Sequence, residues 1–280
     1  MATAVLARPA LVSDYLSLSK PEVNFLIALT TAAAFRLGAP ATAPFPWLLM
    51  LHTVLGTLLV ASGAGALNQW IERDHDAQMR RTLRRPIAAG RMDAGRALLF
   101  GTALSCAGLL YLCIAVTTAA SLLAALTIGW YLFLYTPLKR VSPVCTLVGA
   151  FPGAMPVLIG YAAVAGKLDR PAWLLYGILF LWQFPHFMSI AWMYREDYDR
   201  AGYRILPKGG FRDSFVAWLT ILPLAGLLLV SPSAFPLTLG FLCYGMRFAI
   251  RPSGSDARRL LFASILYLPV LFVWTSLFRM

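Results

Sequence analysis

Runs of apolar residues, each close to the length of a bilayer crossing and separated by short polar stretches, occupy the chain from residue 22 onward. A hydrocarbon layer of about 30 Å takes about 20 residues of α-helix. On that measure the pattern predicts nine spans, at 22–40, 47–69, 96–115, 118–137, 144–165, 171–193, 214–232, 234–250 and 260–278. Ser231-Pro232-Ser233 leaves room for only a very short turn between the seventh and eighth. The expected fold is therefore an all-α membrane protein, a bundle of about nine transmembrane helices around a central cavity that opens near the cytoplasmic side. Residues 1–280 read as one domain, with 1–20 as a cytoplasmic N-terminal arm. Arg8, Asp14 and Lys20 interrupt any apolar run in that arm, so no cleavable signal peptide is expected.

Composition agrees with the pattern: 59% of residues are hydrophobic and 13% charged, at a mean hydropathy of +0.70. Charged residues make up about 25% of an ordinary soluble domain. The net charge of +12, from 24 Lys and Arg against 12 Asp and Glu, does not imply nucleic-acid binding, because cytoplasmic loops of membrane proteins collect cations. Alternate loops divide them unequally. Arg36, Lys167, Arg170 and Arg279 fall on one side, and the other 20 basic residues fall on the opposite side, with the N-terminus. The positive-inside rule then places the N-terminus in the cytoplasm and the C-terminus outside. Cys106, Cys113, Cys145 and Cys243 lack C-x-x-C spacing and read as small apolar residues.

Half of the acids fall in two short clusters on the cation-rich side, Glu72-Arg73-Asp74-His75-Asp76 and Glu196-Asp197-Tyr198-Asp199. Each directly follows an apolar span, so each is expected to continue a transmembrane helix toward the headgroups or a cavity opening there. Asn68, Glu72 and Asp76 recur every four residues and form one stripe on one helix face. Hard cations such as Mg²⁺ bind carboxylates together with substrate phosphates, and Arg80, Arg81, Arg84 and Arg85 offer donors for phosphate oxygens. A solvated helix end, with Glu72 and Asp76 paired to Arg73 and Arg80, would show the same spacing. A second acid cluster on the same side favours a metal–diphosphate site. Asp74 lies off the stripe and would serve a metal only indirectly. His75 points away from the stripe and is expected to face the headgroup region, and His52, near an interface, has no role.

Asn68-x3-Glu72-x-Asp74-x-Asp76, followed by Met79-Arg80-Arg81-Thr82-Leu83-Arg84-Arg85-Pro86, resembles the signature of the UbiA-type intramembrane prenyltransferases. Four further stretches resemble the heme O synthase branch, the protoheme IX farnesyltransferases. They are Tyr135-Thr136-Pro137-Leu138-Lys139-Arg140, then Gly153-Ala154-x-Pro156 with Gly160, then Trp182-Gln183-Phe184-Pro185-His186-Phe187, and Asp197-Tyr198-x-x-Ala201-Gly202-x-x-Ile205-Leu206-Pro207. Lys20-Pro21 also fits. Cys145, Val157 and Tyr161 stand where that branch usually has Asn, Pro and Trp.

The resemblance implies transfer of a farnesyl group from farnesyl diphosphate to a vinyl group of protoheme IX (heme B), with addition of water, in the bacterial cytoplasmic membrane. It implies Mg²⁺ held by Asn68, Glu72, Asp76 and Asp197, diphosphate contacts from Arg81, Arg85, Lys139 and Arg140, and an acceptor site that includes Trp182 and His186. Tyr131, Tyr135 and Trp182 are candidates to face an allylic cation. Expected partners are the two substrates, the lipid bilayer and, downstream, a heme A synthase or terminal oxidase assembly. The closest alternative is a UbiA-type polyprenyltransferase acting on an aromatic or quinone precursor, which would share the diphosphate site. A transporter fits less well, because both acid clusters lie at one membrane level. A structural role in oxidase assembly leaves the acid stripe unexplained.

Overall fold

The computed structural model describes residues 12–278, with side chains to Thr275. Arg8 and Arg279 of the charge tally and residues 1–11 of the arm lie outside the described residues. All regular structure among the described residues is helical: α1 Val12–Leu18, α2 Pro21–Gly38, α3 Trp47–Asp76, α4 Ala94–Ala115, α5 Thr118–Gly129, a π-helical turn Trp130–Tyr135, α6 Thr136–Leu138, α7 Cys145–Ala165, α8 Arg170–Met193, α9 Arg195–Arg200, α10 Phe211–Val230, a 3₁₀ turn Pro232–Ala234, α11 Phe235–Ile250 and α12 Gly254–Phe278.

Each of the nine expected spans is helical. Eight are long and apolar enough to cross a membrane, with α5 to α6 counting as one. The expectation of nine holds only when α2 is counted with them, because α2 carries Glu22 and Arg36 near its ends and buries Asn24, Thr30 and Thr31. Local chemistry sets the ends. Asp93 and Thr117 cap α4 and α5 by accepting the N–H groups of Arg96 and Ala120, and Gly166 closes α7 at φ 67°. The helix expected at 260–278 starts earlier, at Gly254. Ser253 caps its first turn by accepting the Asp256 N–H at 3.1 Å, so Arg258 and Arg259 are helical rather than in a loop.

Lipid supplies no hydrophobic drive for helix pairing, so close backbone approach over small residues must do it. α3 packs on α4 through Gly56, Gly63, Gly101 and Gly108, where any Cβ would collide with the facing helix. α2 packs on α7 at Gly160, whose missing side chain makes room for the Thr31 carbonyl. Gly160→Val should therefore separate α2 from α7 at a cost of about 1–3 kcal/mol. The check is a lowered unfolding midpoint in detergent, and a midpoint equal to wild type would refute the close crossing.

The largest apolar core joins α2, α7, α8, α10, α11 and α12, and a smaller one joins α3, α4, α5 and α7. At one end of the bundle the buried residues become polar: Asn68, Gln69, Glu72, Asp76, Thr136, Lys139 and Asp197. That end also carries the two acid clusters and the cation-rich loops.

Candidate active site at the cation-rich end

α3 continues without a break to Asp76, so Asn68, Glu72 and Asp76 face inward on adjacent turns, each no more than 4% exposed. Buried carboxylates persist only with partners, and the partners come from distant parts of the chain. Asn68 donates from Nδ2 to Glu72 Oε2 at 2.9 Å and accepts at Oδ1 from Lys20 Nζ at 2.8 Å. Glu72 pairs with Lys139. Asp76 Oδ2 accepts from Arg85 at 2.6 Å, while Asp76 Oδ1 is buried without a partner. The solvated-end arrangement, with Glu72 and Asp76 on Arg73 and Arg80, is not the one observed. Arg73 meets the exposed Asp74 instead, at 3.8 Å.

The second cluster does not continue its helix as expected. α8 ends at Met193, Tyr194 leaves helical geometry at φ −110° and ψ 19°, and α9 begins afresh at Arg195. The break lets Asp197 turn back over the segment after α3. Its Oδ2 accepts the Arg81 backbone N–H at 3.2 Å and its Oδ1 accepts from Arg200 at 2.9 Å. Met79 packs with Ala201 and Tyr203 beneath this junction. Gly202, at φ 73°, supplies the left-handed turn that aims Tyr203 inward.

The π-helical turn Trp130–Tyr135 widens the α5 backbone just before Thr136, a feature frequent at functional sites. Thr136 Oγ1 accepts from Asn68 at 3.3 Å and donates to the Tyr131 carbonyl at 2.8 Å. Tyr131 and Tyr135 stack at 5.5 Å, and the Lys139 ammonium sits 4.9 Å from the Tyr135 ring and 5.6 Å from the Tyr203 ring.

Of the expected phosphate ligands, Lys139 and Arg85 lie on the acid stripe. Arg81 presents its guanidinium beside Tyr194 and Tyr198, and Arg140 is anchored to the α3 backbone at the Ile71 carbonyl, 3.2 Å away. His75 does not face outward as expected, since its Nδ1 is buried and its ring lies 5.2 Å from that of Tyr203.

Lys20 and Tyr203 join the site without having been singled out for it. Lys20 holds the one positive φ among described non-glycine residues, 51°, a strain that persists only where the surroundings impose it. Burial, then the Arg85 charge, lowers the Lys20 ammonium to about 7. Burial, then the Glu72 charge, raises the Tyr203 hydroxyl well above its usual range. The only sign of Lys20 in the sequence was the Lys20-Pro21 pair, and Tyr203 had none of its own.

One helix group away, Trp182 and His186 also come together. Their rings stack at 4.8 Å, and Ser264 of α12 holds both. Its carbonyl accepts from Trp182 Nε1 at 2.9 Å and its hydroxyl meets His186 Nδ1 at 2.8 Å. The hydroxyl proton is directed to the Leu261 carbonyl at 2.6 Å, so toward His186 the oxygen acts as acceptor. This arrangement places the proton of the neutral imidazole on Nδ1.

Among the described residues, no three His, Cys, Asp or Glu side chains converge closely enough to hold a metal ion on their own. A cation at the stripe would thus need oxygens from its substrate, and the unpartnered Asp76 Oδ1 is a donor suited to it. Inward carboxylates interleaved with Lys and Arg, beside stacked tyrosines, suit an anionic leaving group with an apolar tail.

Residues 27–277 match the UbiA prenyltransferase family. The chain belongs to that family. A protoheme IX farnesyltransferase of Solibacter usitatus is 44% identical over 280 residues, covering 92% of this chain and 96% of its own. A solved digeranylgeranylglyceryl phosphate synthase superposes with a TM-score of 0.72 at 15% identity, covering 95% of this chain and 97% of that one. A UbiA homolog from Archaeoglobus fulgidus, solved with GPP and Mg²⁺, superposes with a TM-score of 0.64 at 14% identity, covering 94% and 99%. These two structural likenesses establish the fold, and the sequence relationship establishes the family. As a UbiA prenyltransferase, the chain is an integral, multi-pass membrane protein and a transferase.

Proposed function

We propose that this chain transfers the farnesyl group of farnesyl diphosphate to a vinyl group of protoheme IX, giving heme O and diphosphate. The observation that carries the reading is the 44% identity, over nearly the whole of both chains, to a protoheme IX farnesyltransferase. The allylic C–O bond breaks with its electron pair going to diphosphate. The vinyl π electrons form the new C–C bond, and water adds to the resulting cation with loss of a proton.

Asn68, Glu72, Asp76 and Asp197 would hold Mg²⁺, which spreads the charge that develops on the leaving diphosphate. Lys139, Arg85 and Arg81 add donors to the same oxygens, with Arg140 behind them, and these are strongest where water is excluded. Tyr131 and Tyr135 offer ring faces to the allylic fragment, and the apolar helix faces can accommodate the C15 tail. Trp182 and His186 serve the acceptor. The chain would lie in the bacterial cytoplasmic membrane, and the excess of cations at its site end supports an orientation with the N-terminus and the site facing the cytoplasm. Its product passes to a heme A synthase or to terminal oxidase assembly.

Purified protein in detergent, given heme B, farnesyl diphosphate and Mg²⁺, should yield heme O by mass spectrometry. Product from an aromatic acid and none from heme would transfer the assignment to a quinone-type polyprenyltransferase. Ser264→Ala should raise KM for heme roughly threefold to tenfold with little change in kcat, as befits one lost hydrogen bond. Ser264→Thr should restore it, and an unchanged KM in the alanine variant would remove Ser264 from the acceptor site.

A further inference from the structure

The segment after α8 treats its cations unequally. Arg195, Arg200 and Arg212 each have an acidic partner, Glu196, Asp197 and Asp199 respectively. Arg204 and Lys208 have none among the described residues, and both line a cavity of about 220 Å³ whose other walls are Pro143, Leu206 and Pro207. Arg204 and Lys208 are both exposed, and beside the apolar Pro143, Leu206 and Pro207 they form an open receptor for an anion attached to an apolar body. The guanidinium of Arg204 also has the planar donor geometry that matches a carboxylate.

The backbone of the cavity wall is tied to a residue that contacts the acid stripe. The Arg204 N–H donates to the Lys139 carbonyl at 2.7 Å, and the Lys139 ammonium pairs with Glu72 and sits 5.6 Å from the Tyr203 ring. Drug-sized ligands occupy about 300–1,000 Å³, so this space does not enclose a tetrapyrrole and suits carboxylate arms extending from one. Val141 and Val144, on either side of Pro143 in sequence, are exposed and offer apolar surface beside it.

We propose that Arg204 and Lys208 dock the propionate carboxylates of the tetrapyrrole acceptor at the rim of the bundle. The proposal rests on the acceptor reading above. A tetrapyrrole of this type carries a vinyl-bearing ring opposite its propionate edge. Clamping the propionates at the rim turns that vinyl inward, toward the stripe where the allylic diphosphate is held.

The test compares heme B with its dimethyl ester, titrated into the purified full chain in neutral detergent and followed by the Soret band. Wild type should bind the ester at least about tenfold more weakly. Arg204→Gln/Lys208→Gln should bind heme B as weakly as the ester and no longer distinguish them, while binding farnesyl diphosphate with Mg²⁺ as wild type does. The charge-keeping Arg204→Lys/Lys208→Arg should recover most of the discrimination. A Gln variant that discriminates as well as wild type overturns the proposal. So does equal loss in Arg251→Gln/Arg258→Gln, which removes two exposed cations outside the cavity. If wild type binds neither tetrapyrrole, the acceptor reading itself fails.

Discussion

Asp76→Ala is expected to reduce turnover at least about a hundredfold and up to a thousandfold, the scale of removing one group that stabilises developing charge. Asp76 is 1% exposed, gives one oxygen to Arg85 at 2.6 Å and keeps the other buried and unpartnered. Alanine removes both oxygens and leaves the Arg85 guanidinium without its anion, so part of any defect could come from local rearrangement. Asp76→Asn separates the two causes. The amide oxygen can still accept from Arg85, but the side chain no longer carries the charge a divalent cation requires. Both variants should insert and give monodisperse protein in detergent. In both, calorimetric affinity for farnesyl diphosphate should lose its dependence on Mg²⁺. Near-normal turnover in the asparagine variant would remove Asp76 from the metal site.

Why this stripe could be read from the sequence, and its partners could not, follows from the range of the interactions. Helical period alone places Asn68, Glu72 and Asp76 on one face, and the length of the apolar runs places the nine helices. The counter-ions depend on which helices become neighbours. Local spacing offered Arg80 to Asp76 at i, i+4, yet α3 ends at Asp76, and the turn that follows brings Arg85 to it instead. Lys20 reaches Asn68 across 48 positions, and Ser264 reaches His186 across 78. Both contacts are made by tertiary packing, and no local pattern encodes them. The break at Tyr194 was hidden for a related reason. Trp192 and Met193 still belong to α8 and Tyr194 carries no helix-breaking signal of its own, whereas Asp197 just beyond the break is held by the Arg81 N–H, 116 residues back in the chain.

Those contacts make Asp197→Ala the second large loss, of similar size to Asp76→Ala but with an added structural component. Asp197 links α9 to the segment after α3 by accepting the Arg81 amide on one oxygen and Arg200 on the other. Without it the Arg81 N–H loses its partner, and the Met79–Tyr203 contact beneath loses its clasp. Limited proteolysis in detergent should then cut the 77–92 and 194–213 segments faster than in wild type. Asp197→Asn retains an acceptor for the amide and should restore protection, yet turnover should stay at least about a hundredfold down if the carboxylate charge serves the cation. Recovery of protection and turnover together would assign Asp197 to scaffolding alone. Protection restored without turnover would leave two carboxylates, Asp76 on α3 and Asp197 on α9, on opposite sides of one diphosphate. That arrangement accounts for the concentration of half the acids of a strongly basic chain at one end of its bundle.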